Sequence, residues 1–141
     1  ARVRALADIA AANNIVLIME TGQESAEEML QFIESLNHPG LALNIDPANL
    51  ILYNTDEPVS AVKKIARYVR QVHAKDARRT TTPGTWGQEV PWGEGEVNTD
   101  AFLRALDEVG FCGVIAVERE AGTQRATDIA QAVERLANWK K

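Results

Sequence analysis

Four short apolar runs alternate along this chain with segments whose apolar residues recur every three or four positions, and that alternation limits the fold more than any other feature. The runs are Ile15 to Met19, Leu41 to Ile45, a weaker one from Arg70 to Lys75 around Val72 and His73, and Val114 to Val117. A helix precedes the first, with Val3, Leu6, Ile9 and Ala10 on one face, so the expected order is α followed by four β-α units. Strands that alternate with helices pair in parallel through right-handed crossovers, so the sheet is either open and doubly wound or part of a closed barrel. The unbroken run from Ile15 to Met19 reads as a strand buried on both faces.

Local signals mark where the helices begin and end. Ser25 and Glu28 have capping-box spacing ahead of Met29, Leu30, Phe32, Ile33 and Leu36, and Asn37, Pro39 and Gly40 stop that helix. Pro58 suits a first helical turn, and Val59, Val62, Ile65, Ala66 and Val69 continue at helical spacing. Ala77 to about Gly95 forms a loop rich in Thr, Gly and Pro, longer than an ordinary connector and therefore a candidate functional loop. Thr99 or Asp100 caps a helix bearing Phe102, Leu103, Leu106 and Val109, which Gly110 ends. The last helix carries Ile129, Ala130, Val133 and Leu136 and runs to Trp139 and two lysines.

Each apolar run closes on, or near, a residue able to bind a hard or borderline cation: Glu20, Asp46, His73 and Glu118. Strand formation does not require this, and the carboxyl ends of parallel strands are where barrels and open sheets bind ligands. Four neighbouring strands about 4.8 Å apart span roughly 14 Å, too wide for one ion in an open sheet. Around half of an eight-stranded barrel, their inward side chains converge. Strand alternation sets Asn44 with Asp46, Lys75 with His73, and Ala116 with Glu118 on the inward side. Three carboxylates and an imidazole suit one divalent ion, Mn2+, Mg2+, Co2+ or Zn2+, with positions left for water or a chelating substrate.

Composition narrows the partners. The 141 residues carry a net charge of −5, which argues against nucleic acid as a ligand because such binding rests on clustered Lys and Arg. No stretch reaches the roughly 20 apolar residues of a membrane span. Cys112 is the single cysteine, expected as a small packed residue, and with no disulfide available the expected compartment is a reducing cytoplasm. No glycine-rich turn of the dinucleotide or phosphate-loop kind follows any strand. His38, before Pro39, is expected in a surface turn, while Trp86 and Trp92 either wall a sugar pocket or pin the loop.

The segments IMETG around Glu20, NIDPAN around Asp46, VHAKD around His73, WGEGEV after the long loop and AVERE around Glu118 resemble the xylose-isomerase-like sugar phosphate isomerases and epimerases, which share a barrel with endonuclease IV. The resemblance spans the whole chain as the C-terminal half of that (β/α)8 TIM barrel. It implies that Glu20, Asp46, His73 and Glu118 hold one divalent ion and that Glu20 and Glu118 also exchange protons with substrate. Proton removal next to a carbonyl then proceeds through a metal-stabilised enediolate, giving isomerisation or epimerisation according to where the proton returns. Arg79 lies six residues beyond His73, where related epimerases place a substrate-binding arginine, and Lys75 belongs to an H-x-K-D pattern. Lys75, Arg79, Asn44 and Trp86 are the expected substrate contacts, with Arg78 and Arg79 as a solvated loop pair the plainer alternative.

The sequence departs from the endonuclease pattern at Asn49, which stands where a second metal-binding His would follow Asp46, and in the long loop, where Trp86 and Gln88 replace an Asp-x-His pair. Abasic-site cleavage is accordingly disfavoured. The chain opens on Ala1, already in helical periodicity, as a piece of something longer would. Residues 1–141 are expected to form a single (β/α)4 half-barrel, a fragment of a chain of roughly 250 residues or a unit that pairs with a second copy. A non-catalytic half-barrel assembly module is the alternative to a sugar or sugar-phosphate isomerase.

Overall fold

The structure, a computed structural model, describes residues 2–139. Ala1, where the reading of the chain's opening falls, and the closing Lys140 and Lys141 lie outside the described residues. In chain order the elements are α1 (Arg2–Ala12), β1 (Leu17–Glu20), α2 (Ala26–Leu36), β2 (Leu41–Ile45), α3 (Pro47–Leu52), α4 (Pro58–Ile65), a short 3-10 turn (Ala66–Tyr68), β3 (Val69–Ala74), β4 (Asp76–Arg78), β5 (Gln88–Val90), α5 (Thr99–Glu108), β6 (Val114–Val117) and α6 (Arg125–Asn138). Strands β1, β2, β3 and β6 form one parallel sheet in that order, and β4 and β5 form a separate antiparallel hairpin. The expected α/β class, four parallel strands alternating with helices as in part of a TIM barrel, is what the chain adopts.

The core lies between the outward side of the sheet and the helices. Leu43, Ile45 and Val72 point outward and are sealed by Ile33, Val62, Ile65, Phe102 and Leu106 from α2, α4 and α5. Each such side chain contributes about 1.5–3 kcal/mol by leaving water. The capping box of Ser25 and Glu28 is formed, Asn37 ends α2 in the left-handed conformation at φ 42°, and Gly110 follows α5 at φ 71°.

Several local expectations need correction. β1 alternates between half-buried and exposed residues, because it is an edge strand whose inward side, Ile18 and Glu20, faces solvent. On α1 the docked stripe is Val3, Ala7 and Ala10, and Leu6 and Ile9 are exposed; the small Ala7 permits the close approach. Helix α3 was not expected: the side chain of Asp46 accepts from the backbone of Ala48 and Asn49, and Pro47 takes the first helical position. Val69 opens β3 rather than continuing α4. The long loop contains the β4–β5 hairpin, and α5 is capped by Asn98, not by Thr99 or Asp100. Cys112 is exposed rather than packed. His38 is largely enclosed: Nδ1 accepts from Gly40 N at 3.0 Å and Nε2 lies 3.0 Å from Asp8 Oδ1, which ties the turn to α1.

Candidate metal centre

Strand register explains how four residues on four strands come to one place. Glu20 pairs with Asn44, so Asp46 stands two residues further along β2's direction than the residue level with Glu20. Ile45 pairs with Val72 after an irregularity between Leu43 and Asn44, which sets Asp46 level with His73. Ala74 pairs with Val117, so Glu118 is level with Lys75, again two residues ahead of His73. Such steps, averaging about one residue per strand, are the stagger that tilted strands of an eight-stranded barrel with shear 8 require for a level ring. In these coiled strands one ligand-type atom from each of Glu20, Asp46, His73 and Glu118 lies within 4.8 Å of all the others.

The donors are held from behind. Asp46 is fully buried; its Oδ1 accepts from Ala48 N at 2.8 Å and Asn49 N at 3.1 Å, while Thr21 Oγ1 accepts from Asp46 N at 2.8 Å. Its second oxygen, Oδ2, is buried, has no hydrogen-bond partner and faces the cluster. His73 Nδ1 lies 2.8 Å from Glu118 Oε2, 3.2 Å from Glu20 Oε1 and 3.5 Å from Asp46 Oδ2, yet none is aligned as a hydrogen bond. A ring nitrogen and three carboxylate oxygens facing one another attract only if a proton or cation lies among them. Contact with the Asp46 carboxylate, and then the charges of Glu118 and Glu20, lift the His73 imidazole above its ordinary value against the opposing effect of burial. Burial raises the Glu20 carboxyl, with His73 opposing and Asp46 and Glu118 reinforcing. Both shifts mark a site that wants positive charge, and the donor set fits a divalent ion.

The other singled-out residues fall into two groups. Lys75, only 3% exposed, joins the cluster, with Nζ 2.7 Å from Glu120 Oε2, 3.3 Å from Glu118 Oε2 and 3.7 Å from Asp46 Oδ2. Burial works to discharge it, but the Glu120 hydrogen bond and the charges of Asp46 and Glu118 prevail and hold the ammonium charged. Asn44, one of the expected substrate contacts, is 4% exposed, with Nδ2 3.0 Å from His73 Nε2. Asn49 donates to Glu20 Oε1 at 3.3 Å and to Thr21 O at 3.0 Å, so it borders the cluster without ligating.

Arg79 and Trp86 belong to the long connection. Arg79 donates to Glu57 Oε1 at 2.6 Å, Asn54 Oδ1 at 3.1 Å and Glu96 Oε2 at 3.3 Å. Arg78 is exposed, and its guanidinium donates to Glu94 O at 2.8 and 3.1 Å. Trp86 is 68% exposed and meets Tyr53 edge to face, ring centroids 5.3 Å apart, whereas Trp92 is buried against Phe102.

Two positioning groups escaped the sequence reading. Asp76, buried, accepts from four backbone N–H groups: Ala77 and Val97 on Oδ1, Gly93 and Gly95 on Oδ2, at 2.8–3.1 Å. It folds the WGEGEV segment onto β4, and a Cβ on Gly95 would lie 2.1 Å from Asp76 Oδ1. Arg119 joins Glu89 at 2.7 Å and Asp128 at 2.8 Å, and Glu89 also accepts from Glu120 N at 2.9 Å. That triad fixes the backbone immediately after Glu118.

Comparison with known proteins agrees with this architecture. The family model described as xylose isomerase-like TIM barrel matches residues 1–139. L-ribulose-5-phosphate 3-epimerase UlaE of Escherichia coli is 32% identical over 117 residues, which cover 83% of this chain and 38% of that protein. Among solved structures, a xylose isomerase domain protein from Planctomyces limnophilus superposes with a TM-score of 0.90 at 42% identity, covering 99% of this chain and 50% of that one. A xylose isomerase-like TIM barrel protein from Mycobacterium smegmatis, in complex with magnesium, gives 0.81 at 26% identity over 98% and 48%. The chain thus spans half or less of the length of these relatives, and it belongs to the xylose isomerase-like TIM barrel family.

Proposed function

We propose that this chain carries the metal centre of a sugar or sugar-phosphate epimerase or isomerase, with Glu20, Asp46, His73 and Glu118 as ligands of one divalent ion. The observation that carries the reading is the convergence of these four groups around two buried, unpartnered atoms, Asp46 Oδ2 and His73 Nδ1. The relatives named for ketose-phosphate epimerisation and for magnesium support it. When bound, the ion supplies positive charge beside an oxygen that becomes anionic as a neighbouring carbon loses its proton.

The chain's own groups do the rest. Glu20 and Glu118 stand at opposite ends of the ligand ring, on β1 and after β6, so one carboxylate takes a proton from carbon and the other returns one. Burial raises the Glu20 carboxyl, so it holds a proton more readily than a fully solvated glutamate, which suits a group that takes one up and gives it back. Lys75, held charged against Glu118 and Glu120, offers an N–H donor to a substrate oxygen, and Arg79 and Trp86 on the long connection are the further substrate contacts of this proposal.

The same proposal treats residues 1–141 as one (β/α)4 half-barrel, completed by an N-terminal half or by a second copy. Exposed Ile18 and Val114 on the inward side, and Leu6, Ile9, Ile129 and Val133 beyond the two edge strands, support that completion.

Calorimetric titration with Mn2+ or Zn2+ tests the centre: one ion per chain is expected, with affinity reduced about tenfold or more in Glu118→Gln. Uptake by neither ion sinks the reading. In the completed barrel, ketoses or their phosphates should take up deuterium from D2O at the carbon next to the carbonyl, and Glu118→Gln should abolish that exchange.

A further inference from the structure

Three of the four clustered residues are held where they stand by the sheet or by a cap of their own: Glu20 and His73 lie within β1 and β3, and Asp46 caps α3. Glu118 stands one residue beyond β6, tied to the sheet by its own N–H, which donates to Ala74 O at 3.3 Å. Where its side chain points therefore depends on the chain that follows. In that chain the amides of Glu120 and Ala121 both donate to one side chain, Glu89 of β5. Glu89 Oε1 accepts from Glu120 N at 2.9 Å, from Ala121 N at 3.3 Å and from Arg119 Nη1 at 2.7 Å, and Oε2 lies 3.3 Å from Ala121 N.

Both charged partners are taken out of water, with 7% of the Glu89 side chain and 9% of the Arg119 side chain exposed. A buried ion pair is a poor source of stability, because the cost of desolvating two charges offsets their attraction, and apolar side chains would fill the same space. Apolar side chains could not accept from two successive backbone N–H groups. The carboxylate fastens the loop to a hairpin that is itself fixed: Glu89 pairs with Ala77 of β4, and the neighbouring Asp76 accepts from four backbone amides. The same hold reaches Lys75, whose Nζ lies 2.7 Å from Glu120 Oε2 and 3.3 Å from Glu118 Oε2. We propose that Glu89 is a positioning residue: through Arg119 and the amides of Glu120 and Ala121 it sets where the Glu118 carboxylate stands among the other ligands. The long connection from β3 to α5 is thereby part of the centre. The effect on ion binding rests on the reading of Glu118 as a ligand given above, whereas the hold of Glu89 on the Glu118 side chain does not.

The test separates reach from charge. Glu89→Asp keeps the charge on a side chain one methylene shorter, and Glu89→Gln keeps the length and an acceptor oxygen without the charge. Gly110→Ala strains a left-handed turn, φ 71°, at the amino ends of the strands and serves as the control for lost stability alone. Each whole chain, labelled with 13C at the glutamate carboxyl carbons, is checked by circular dichroism, titrated with zinc by calorimetry and read by carbon NMR, where the Glu118 signal is the one missing from Glu118→Gln. Zinc affinity should fall about tenfold or more in Glu89→Asp and stay within about threefold of wild type in Glu89→Gln and Gly110→Ala. Without metal, the Glu118 signal should move in Glu89→Asp and hold its place in Gly110→Ala. A folded Glu89→Asp whose Glu118 signal is unmoved, or a loss of zinc affinity as large in Glu89→Gln or Gly110→Ala as in Glu89→Asp, would overturn the inference. If wild type takes up no zinc while Glu89→Asp still moves the Glu118 signal, the metal reading falls and the positioning role stands. Should Glu89→Asp fail to fold, wild type alone decides, because coupling between sites is reciprocal: zinc should slow solvent exchange of the Glu120 and Ala121 amides about tenfold, and exchange unchanged by zinc overturns the role.

Discussion

A single carboxylate can serve two masters, and Asp46 does so by dividing its oxygens: one caps the first turn of α3, the other stays bare toward the cluster. That division was only half legible in the sequence. A hard ligand at a strand end is visible as a residue type at a position, but the cap was not, because the Pro47–Leu52 helix is too short for periodicity to reveal. Asp76 was less legible still, since its partners at Gly93, Gly95 and Val97 are backbone N–H groups that no side-chain pattern betrays. Its weight is measurable. Asp76→Asn removes charge from four N–H···O bonds and turns an amide N–H against donors, which should cost about 2–3 kcal/mol in urea denaturation. The unaltered Tyr53–Trp86 contact should meanwhile keep its near-ultraviolet signal. His73 offers a complementary measurement: its imidazole is held above the ordinary value, so metal uptake near neutral pH should release protons. Calorimetry in buffers of different ionisation enthalpy should therefore give apparent enthalpies that differ with the buffer.

Among the elements, α2 is the one whose ends were written most plainly. Ser25 accepts from Glu28 N and Glu28 Oε2 accepts from Ser25 N at 2.9 Å, as the spacing implied. Ser25→Ala should cost about 1 kcal/mol at neutral pH in chemical denaturation. These bonds hold the Glu28 carboxyl below its ordinary value of 4.5. The stabilisation from its ionised form is thus complete above pH 4.5 and is lost as pH falls through the lower folded value, so the wild-type advantage over Ser25→Ala should shrink in acid. Elements were misread where tertiary context overrides pattern. The apolar face on α1 and the two-sided burial of β1 both failed at the sheet edge, where Leu6, Ile9 and Ile18 meet solvent. The β4–β5 hairpin was hidden because three-residue strands pinned by Asp76 and by the Glu89–Arg119 pair carry no alternation of their own.

For the molecule as a whole, alternation of strand and helix was enough to reach the class, and the ligand-bearing strand ends were enough to prefer a barrel over an open sheet. Nothing in the pattern disclosed the register, because stagger is a property of strand pairs and not of any one strand. Ile18 and Val114 on the inward side, with Ile15, Phe32 and Val133 around the edges, leave apolar surface that ordinarily drives association. Sedimentation velocity at micromolar concentration should show the isolated chain self-associating, and Val114→Asp should shift it toward monomer. The register has a further consequence. Because Glu20, Asp46, His73 and Glu118 come level only while the strands stay coiled, flattening the sheet would pull the ring apart like an unscrewed iris. For the ion proposed above, affinity would then be a gauge of curvature, and any partner that completes the wall should tighten the grip without touching it.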